Sequence, residues 1–457
     1  MVSSEKFDLE TIVNSGRMGR SQFLIVAICA LVAMIDGFDT QCVAFVAPEI
    51  ANSWHVEPSK FGPVFGAGLL GGMLGAMLLG LAGDRFGRKP VLVVSVALFA
   101  ICSLITPLAT SVTYLAALRF VTGIGLGGAL PTAISLTSEY TPTRLRATVV
   151  ALMFCGFPLG AVIGGLAMAK LIPWLGWTSA FYAGGVIPLV LLPFVVGCVP
   201  ESIRFLALKG DRVAILSILD RMKLEKKWNG NVELAVKTSA PIFSLFAKGM
   251  ALGTTLLWIT FFFSLMMSYF LLNWIPMLAR QEGHSIEDAV IAVAMINLGA
   301  IIGCVTLGHL AGRFGQTLVI GAGYGLGAFA IMAIGYVGTS SVLFLVISIL
   351  AGILTVGAQM CTVALCASFY DTRLRATGIG WTMGIGRIGA ILGPILGGIL
   401  IGAGFTAPMF FFIAGLTSLG AGASVFAMGR FVLRGRSPST QPTNLQSEID
   451  ALKGYSG

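Results

Sequence analysis

Four ionisable side chains stand inside strongly apolar stretches of the sequence, where they could carry protons or bind anions. Asp36 and Asp39 belong to the motif DGFD, Arg119 begins RFVTGIGLGG, and Arg387 lies within GIGRIGAILG. An ionised side chain in hydrocarbon costs roughly 2.5 to 3.5 kcal/mol even on insertion scales, so residues of this kind are functional candidates. The carboxylates suit proton transfer, and the guanidinium groups suit binding of a carboxylate.

The two aspartates have the spacing expected of a proton-carrying pair. Residues three apart on a helix lie on neighbouring parts of one face. Two carboxylates in a poorly hydrated site repel each other and lose solvation, and both effects favour a protonated form of at least one of them. The alternatives are that Asp36 caps a helix break at Gly37, or that either aspartate is held in a permanent ion pair.

The two arginines have different surroundings in the sequence. Arg119 enters its apolar run at a depth comparable to that of Asp39, so we expect it to be the counter-ion of the aspartates, either released on protonation or held as a static pair. Arg387 has no acidic residue in its run. Because a guanidinium forms bidentate hydrogen bonds with a carboxylate, we expect Arg387 to bind a substrate carboxylate. A salt bridge from Arg387 to Asp36 or Asp39 is the alternative, and the two roles are compatible if substrate and aspartate compete.

These residues need membrane helices to position them, and the composition predicts such helices. The chain of 457 residues is 56% hydrophobic and only 11% charged, far from the balance of a soluble domain. Crossing the hydrocarbon core takes about 20 apolar residues, and twelve runs are long enough. They cover 22–47, 60–83, 90–110, 113–139, 146–171, 178–199, 250–279, 287–311, 317–338, 341–367, 376–403 and 406–432. The predicted fold class is therefore an all-α integral membrane protein.

The distribution of Lys and Arg predicts the orientation of the spans. If the N-terminus is cytoplasmic, cytoplasmic segments hold 24 of the 29 basic residues, which satisfies the positive-inside rule. Both termini are then inside, and the net charge of +9 follows from topology, with no nucleic-acid partner implied. The polar first 20 residues and the long first run indicate no cleavable signal peptide. The eight Cys lack the spacing of a metal site, so we expect no metal and no cofactor.

An internal repeat divides the chain into two related halves. TRLRAT occurs at 143–148 and again at 372–377, and the same shift of 229 places GAVIGG at 160–165 on GAILGP at 389–394. Two six-helix halves with a site between them near the midplane are typical of secondary transporters. The predicted organisation is a cytoplasmic N-terminal tail, a first bundle, a cytoplasmic linker, a second bundle and a cytoplasmic C-terminal tail, at 1–21, 22–199, 200–249, 250–432 and 433–457.

Several motifs resemble those of a known transporter group. GLAGDRFGRKP at 80–90, RFVTGIGLGG at 119–128 and PESIRF at 200–205 resemble signatures of the major facilitator superfamily. DGFD at 36–39, SEYTPTRLRA at 138–147 and GIGRIGAILG at 384–393 resemble its bacterial aromatic acid:proton symporter family. The resemblance covers the chain apart from its tails, and it implies twelve helices in two pseudo-symmetric bundles.

The resemblance also implies a gate at the cytoplasmic face. Charged contacts that form in one state and break in another make a bistable element. The gating residues expected here are Gly80, Asp84, Arg85, Gly87, Arg88, Glu139 and Arg144. In the second half the matching loop is GHLAGRFGQT, with Gly312 where the first half has Asp84, so a second gate of this kind can be only partial.

The implied function is proton-coupled import of a benzoate-like or hydroxybenzoate-like carboxylate by alternating access, in the bacterial inner membrane. An aromatic ring requires apolar walls with a few polar groups. The candidates on suitable helices are Phe38, Phe157, Asn273, Trp274, Gln359 and Trp381. The expected partners are the aromatic carboxylate, protons and the lipid bilayer, and a monomer is expected.

Other functions are compatible with the same sequence features. A symporter of another small organic acid fits the same residues. An efflux antiporter is suggested by GAILGPILGG at 389–398, although that motif belongs to the fifth helix of such antiporters and falls here in the eleventh run. Nothing in the sequence favours a transporter-like solute receptor. An enzyme is disfavoured because no nucleophile, base and metal constellation is present.

Overall fold

The computed structural model describes residues 18–222, 242–247 and 249–433, and its regular structure is entirely helical within those ranges. The described part contains twelve helices long and apolar enough to cross a membrane, which confirms the predicted fold class. The first six are α1 Arg20–Trp54, α2 Phe61–Phe86, α3 Arg88–Ile105, α4 Val112–Tyr140, α5 Thr143–Leu175 and α6 Thr178–Cys198.

The remaining six helices follow a linker that contains the short helices Ile203–Lys209 and Arg212–Arg221. They are α7 Ala251–Gln281, α8 Ile286–Phe314, α9 Gln316–Ile334, α10 Ser341–Phe369, α11 Thr372–Gly402 and α12 Ala407–Met428. The tails predicted at 1–21 and 433–457 lie almost wholly outside the described residues, as do residues 223–241 of the predicted linker.

Two of the helices depart from regular α geometry. α5 is interrupted at Cys155, and α10 contains a π-helical turn over Gly352–Val356. Single π turns inside α-helices occur frequently at functional sites. Several helices also extend beyond the apolar runs that predicted them: α1 passes through Pro48 to Trp54, and α11 begins at Thr372. The apolar run marks the part of a helix in hydrocarbon, whereas the helix continues into the polar interface.

The repeat seen in the sequence recurs in the backbone. Gly87 and Gly315 both adopt positive φ angles, of 108° and 98°, at the start of the third helix of each half. A side chain at such an angle would be strained, so glycine is required at both turns. Gly71 of α2 and Gly299 of α8 also match, because a Cβ at either residue would collide with the backbone of the fourth helix of its own half. The two halves therefore share their helix-packing contacts as well as their motifs.

The two halves meet at one end of the bundle. We call the end where α2 and α8 finish and the linker helices lie the linker face, and the opposite end the far face. Near the far face Gly62 of α2 lies against the backbone of Pro394 in α11, and the Phe65 and Trp274 rings are 5.4 Å apart. An ion pair of 3.7 Å joins Glu49 to Arg280 at the same level. Close approach of the backbones at Gly62, an aromatic contact and an ion pair thus hold the far face together.

The apolar cores follow the same division. One core runs through the second half and continues into the far-face parts of the first half, including Phe45 and Phe61. A second core, with Ile25, Leu92 and Leu136, lies toward the linker face and contains residues of the first half and the linker. Within the described residues the halves therefore share a core at the far face and have separate cores at the linker face.

Candidate functional site

A buried ion pair joins α1 to α4 inside the first half. The Nη1 atom of Arg119 lies 3.4 Å from Oδ2 of Asp39. The other carboxylate oxygen of Asp39 accepts a hydrogen bond of 2.8 Å from the Ser103 hydroxyl, and Nη2 of Arg119 donates to the Thr106 hydroxyl at 2.9 Å. Asp39 is 1% exposed and Arg119 is 4% exposed. Both charged groups are therefore removed from solvent. They are stabilised by each other and by the hydroxyl groups of Ser103, in the last turn of α3, and Thr106, directly after it.

Arg119 is also held by an aromatic ring from α6. Its guanidinium carbon lies 5.1 Å from the centroid of the Phe181 ring, a cation–π contact. The Nε atom of Arg119 is buried and has no hydrogen-bond partner in the described part of the chain. Ser103, Thr106 and Phe181 were missed by the sequence reasoning. The sequence feature that could have indicated two of them is the spacing of Ser103 and Thr106, three residues apart in the apolar run 90–110.

Asp36 has quite different surroundings. It is 4% exposed, and the Thr40 hydroxyl of its own helix donates a hydrogen bond of 3.3 Å to its carboxylate. No described cation lies within ion-pair distance of it. The next residue, Gly37, lies directly against the carbonyl of Phe157, which fixes the crossing of α1 with α5 beside the carboxylate. The two aspartates are therefore not equivalent: Asp39 is paired and Asp36 is not.

Arg387 approaches Asp36 from the other half of the molecule. It interacts electrostatically with Asp36 and with Tyr269 of α7, yet it forms no hydrogen bond or ion pair within the described ranges. Packing of Gly386 against Phe261 and Leu265 of α7 sets the rotation of α11 at this point.

The space beside Arg387 is open on the side toward the linker face. Gly380 and Gly384, seven and three residues earlier in α11, lie on the same side of the helix as Arg387, and a Cβ at either would meet no atom within 4 Å. Arg387 is only partly buried. Tyr269 lies near both Arg387 and Asp36 and was missed by the sequence reasoning. The feature that could have indicated it is a tyrosine, with its polar hydroxyl, inside an apolar run. The arrangement offers one cation to an incoming anion, opposite one unpaired carboxylate.

Two of the aromatic residues predicted to contact a ligand occupy packing positions in this state. Phe38 packs against Gly164 and Gly184, between α1, α5 and α6. Trp274 is fully buried, and its indole N–H donates a hydrogen bond of 2.9 Å to the carbonyl of Pro394. Both lie in close contact between helices, away from the open side of Arg387.

Asn273 lies one turn after Tyr269 on α7, and Gln359 lies on the neighbouring helix α10. The Asn273 side-chain amide donates to the Tyr269 carbonyl at 2.7 Å. The Ser268 hydroxyl donates to the Gln359 side chain at 2.5 Å, which links α7 to α10 just beyond the π turn. The Asn273 amide therefore contacts the backbone of Tyr269, and the Gln359 amide contacts Ser268, the residue before Tyr269.

The other two predicted aromatic residues lie toward the linker face. Phe157 stacks on Phe154 with ring centroids 6.4 Å apart, beside the break in α5. Trp381 stacks on Trp258 at 6.3 Å and is 45% exposed. These rings are candidates for a path between the linker face and Arg387.

The predicted gate forms a connected network at the linker face of the first half. Arg88 is paired with Glu139 and lies 3.9 Å from Asp84, and the Ser202 hydroxyl donates to Glu139 at 2.6 Å. Arg85 is exposed and lies over the Phe86 ring.

A residue that the sequence reasoning did not single out anchors this network. The Glu201 carboxylate accepts hydrogen bonds from the backbone N–H groups of Arg88 and Lys89, at 2.8 and 3.1 Å, and so satisfies the N-terminus of α3. The Tyr140 hydroxyl donates to the Glu201 carbonyl. Of the other predicted gate residues, Gly80 has room on one side for a side chain, Gly87 forms the turn before α3, and Arg144 is exposed at the start of α5.

A second polar contact crosses between the halves near Asp39. The side-chain amides of Gln41 in α1 and Asn297 in α8 exchange two hydrogen bonds, of 3.2 and 2.9 Å, and both residues are buried.

No group of three or more metal-ligating side chains is found among the described residues.

Comparison with known proteins agrees with the fold and with the motifs. The sequence matches the Major Facilitator Superfamily over residues 29–387 and again over 257–453. It is 36% identical over 440 residues to the gallate transporter of Pseudomonas putida, with 95% of this chain and 98% of that protein covered. It is 38% identical over 407 residues to a 4-hydroxybenzoate transporter of Pseudomonas aeruginosa, with 88% and 91% covered.

Solved structures with the same fold are more distant in sequence. A bacterial homologue of the human lysosomal transporter Spinster, in an inward-facing conformation, matches with a TM-score of 0.72 at 18% identity, covering 92% of this chain and all of that one. The xylose transporter of E. coli, in a partially occluded inward-open conformation, matches with a TM-score of 0.68 at 16% identity, covering 91% and 98%.

Proposed function

The chain belongs to the Major Facilitator Superfamily, and we propose that it is a proton-coupled symporter that imports a small aromatic carboxylate of the hydroxybenzoate or benzoate type. Membership of this superfamily makes it a multi-pass membrane transporter. The observation that carries the rest of the proposal is the opposition of Asp36 and Arg387, one from each half, neither of which has an ion-pair partner among the described residues.

Proton coupling is supported by the unequal environments of the aspartates. A buried carboxylate without a cation is costly in its charged form, and a proton removes that cost. Asp36 is in that position, whereas Asp39 is neutralised by Arg119. We therefore assign the proton to Asp36 and a structural role to the Asp39–Arg119 pair.

Recognition of a carboxylate is supported by the state of Arg387. A guanidinium without a partner beside open space can receive a carboxylate in a bidentate contact. The aromatic part of the assignment comes from the relatives, which are named as transporters of gallate and 4-hydroxybenzoate. Tyr269, Asn273 and Gln359 supply polar groups in the same region, which would suit ring hydroxyls.

Alternating access is supported by the way in which the halves meet. The positive-inside rule assigns the linker face to the cytoplasm, with both termini inside the bacterial inner membrane. The described state is then closed toward the outside. Return to the outward-open state requires the far-face contacts, such as Glu49 with Arg280, to separate while the linker-face contacts close.

Transport into proteoliposomes tests the proposal. The initial rate of labelled 4-hydroxybenzoate uptake would be measured with an inward proton gradient, without one and with an outward gradient, against protein-free liposomes that report passive entry of the neutral acid. We expect the protein-dependent rate to be highest with the inward gradient and to be lost in Arg387→Ala. A rate indifferent to the gradient contradicts symport, and a rate raised by an outward gradient identifies an antiporter.

A further inference from the structure

The charges at the candidate site can be counted, and the count limits what the site can carry. Arg119 and Arg387 are the only Lys or Arg side chains that lie well inside a helix, away from both of its ends, among the described spans. Arg119 is already bound by Asp39, by the Ser103 and Thr106 hydroxyls and by the Phe181 ring. One cation, Arg387, is therefore available to a ligand.

The proton count is limited in the same way. Several ionisable residues of the described chain are grouped about Asp36 and its neighbour Asp39. They are Cys42 on α1, Cys102 on α3, Arg119 on α4, Tyr269 on α7 and Arg387 on α11. Asp39 is fixed as an ion pair, and protonating it would leave Arg119 buried with an uncompensated charge. Asp36 is thus the single carboxylate of this group that can gain and lose a proton without stranding another charge.

We propose, on the basis of the function proposed above, that the protein carries one proton with one monoanionic carboxylate and rejects dianions of the same shape. With a monoanion on Arg387 and a proton on Asp36, every charge in the site has a partner. Once the halves close around the ligand, a second carboxylate would be left in the site with no cation to neutralise it. The loaded carrier moves no net charge, so the membrane potential does not drive it.

A pair of ligands that differ in one charge tests the selectivity. Terephthalate and its monomethyl ester share the ring and the para arrangement, but at pH 7 the first is a dianion and the second a monoanion. In wild-type proteoliposomes with an inward proton gradient we expect uptake of the monoester, and a terephthalate rate at least about 100-fold lower, corresponding to loss of a buried charge partner. A fivefold excess of terephthalate should leave monoester uptake nearly unchanged.

A potassium diffusion potential imposed with valinomycin tests the stoichiometry. We expect the protein-dependent rate of monoester uptake to be the same at inside-negative, zero and inside-positive potential. Terephthalate uptake comparable to that of the monoester, or a rate that rises with inside-negative potential, overturns the inference and leaves the proposed symport intact. Failure of both the monoester and 4-hydroxybenzoate to enter overturns the proposed function and this inference with it.

Discussion

At the scale of single residues, the site depends on two aspartates that the sequence presents as a pair and the fold makes different. Asp39 faces α4 and α3, where Arg119 and Ser103 bind it. Asp36, less than one turn earlier, receives a single hydrogen bond from Thr40. The two aspartates therefore differ in their surroundings: Asp39 has a counter-ion in Arg119, and Asp36 has no described counter-ion within ion-pair distance.

Replacing Asp36 with Asn should separate binding from coupling. Asn resembles the protonated acid in shape and carries no charge, so we expect Asp36→Asn to keep its thermal stability in detergent and to exchange labelled for unlabelled substrate across the vesicle. Accumulation driven by an inward proton gradient should be lost. Counterflow and gradient-driven uptake measured in the same vesicles check this, and gradient-driven accumulation by Asp36→Asn would contradict the assignment.

Asp39→Asn is the matched comparison on the same helix. It leaves Arg119 charged and buried, and removing one partner of a buried ion pair typically costs about 3 to 5 kcal/mol. We expect a clearly lower melting temperature than that of Asp36→Asn. Ser103→Ala, which removes one hydrogen bond to Asp39, should cost only about 1 kcal/mol.

Arg387→Lys tests the bidentate contact without changing the charge. Lysine offers a compact ammonium in place of the planar fork, so one of two charge-assisted hydrogen bonds is lost. Loss of about 1.5 to 3 kcal/mol predicts 4-hydroxybenzoate binding weaker by about 10- to 100-fold in calorimetry. Arg313→Lys, an exposed change at the end of α8, is the control and should bind normally. Equal affinities of the two variants would exclude a bidentate role for Arg387.

The sequence was informative about charged residues and less so about aromatic ones. Depth along the helices predicted Arg119 near Asp39, and the structure places their charged atoms 3.4 Å apart. Charged residues are few inside the membrane, so each has few possible partners. Phe and Trp are common, and nothing in the sequence separates Trp274, which packs between helices, from rings that face open space. The partners from α3 and α6 depend on helix rotation, which a single sequence does not specify.

At the scale of helices, glycines decide which pairs approach closely. Along α2, Gly71 lies against the carbonyl of Phe120 in α4, whereas Gly80 faces open space. In membranes, small residues permit the close packing that holds helices together. The apolar runs predicted all twelve spans, but the polar ends of α1 and α11 were missed because hydropathy reports burial in lipid and helices continue past it.

Gly71→Ala and Gly80→Ala form a matched pair on α2. A methyl group at residue 71 would collide with backbone that cannot move without shifting α4, so we expect a loss of about 1 to 3 kcal/mol, seen as a lower melting temperature in detergent. The same change at residue 80 should be neutral for stability or slightly favourable, since alanine favours helix. A similar loss in both variants would mean that α2 and α4 are not in this close contact.

At the scale of the whole molecule, the two halves are alike in architecture and unlike in charge. The repeat predicted from TRLRAT recurs as matching turns at Gly87 and Gly315. Among the described residues, the interior ion pair and the aspartate without an ion-pair partner belong to the first half, and the arginine without such a partner belongs to the second. The proposed function thus assigns the proton and the substrate to opposite sides of the interface between the halves.

The buried amide pair between Gln41 and Asn297 should favour the state closed at the far face. Asn297→Leu leaves the Gln41 amide buried without a partner, at a cost of about 1 to 3 kcal/mol. Spin labels at Asn52 and Gln281, exposed at the far-face ends of α1 and α7, would report the separation of the halves. The background would carry Ser in place of the exposed Cys155 and the partly exposed Cys198 and Cys304. We expect Asn297→Leu to increase the population of longer distances.

The double variant Gln41→Leu with Asn297→Leu is the control for that experiment. Two apolar side chains leave no amide unsatisfied, so the distance distribution should move back toward that of the parent protein. An unchanged distribution in Asn297→Leu would show that the amide pair does not bias the two states.

The most direct test of coupling follows protons rather than substrate. A pH-sensitive dye trapped in proteoliposomes would record lumenal pH while 4-hydroxybenzoate is added outside at equal pH, with protein-free liposomes subtracted. We predict protein-dependent acidification that is abolished by Asp36→Asn, although that variant still exchanges labelled substrate. Protein-dependent entry of labelled substrate without acidification would contradict it.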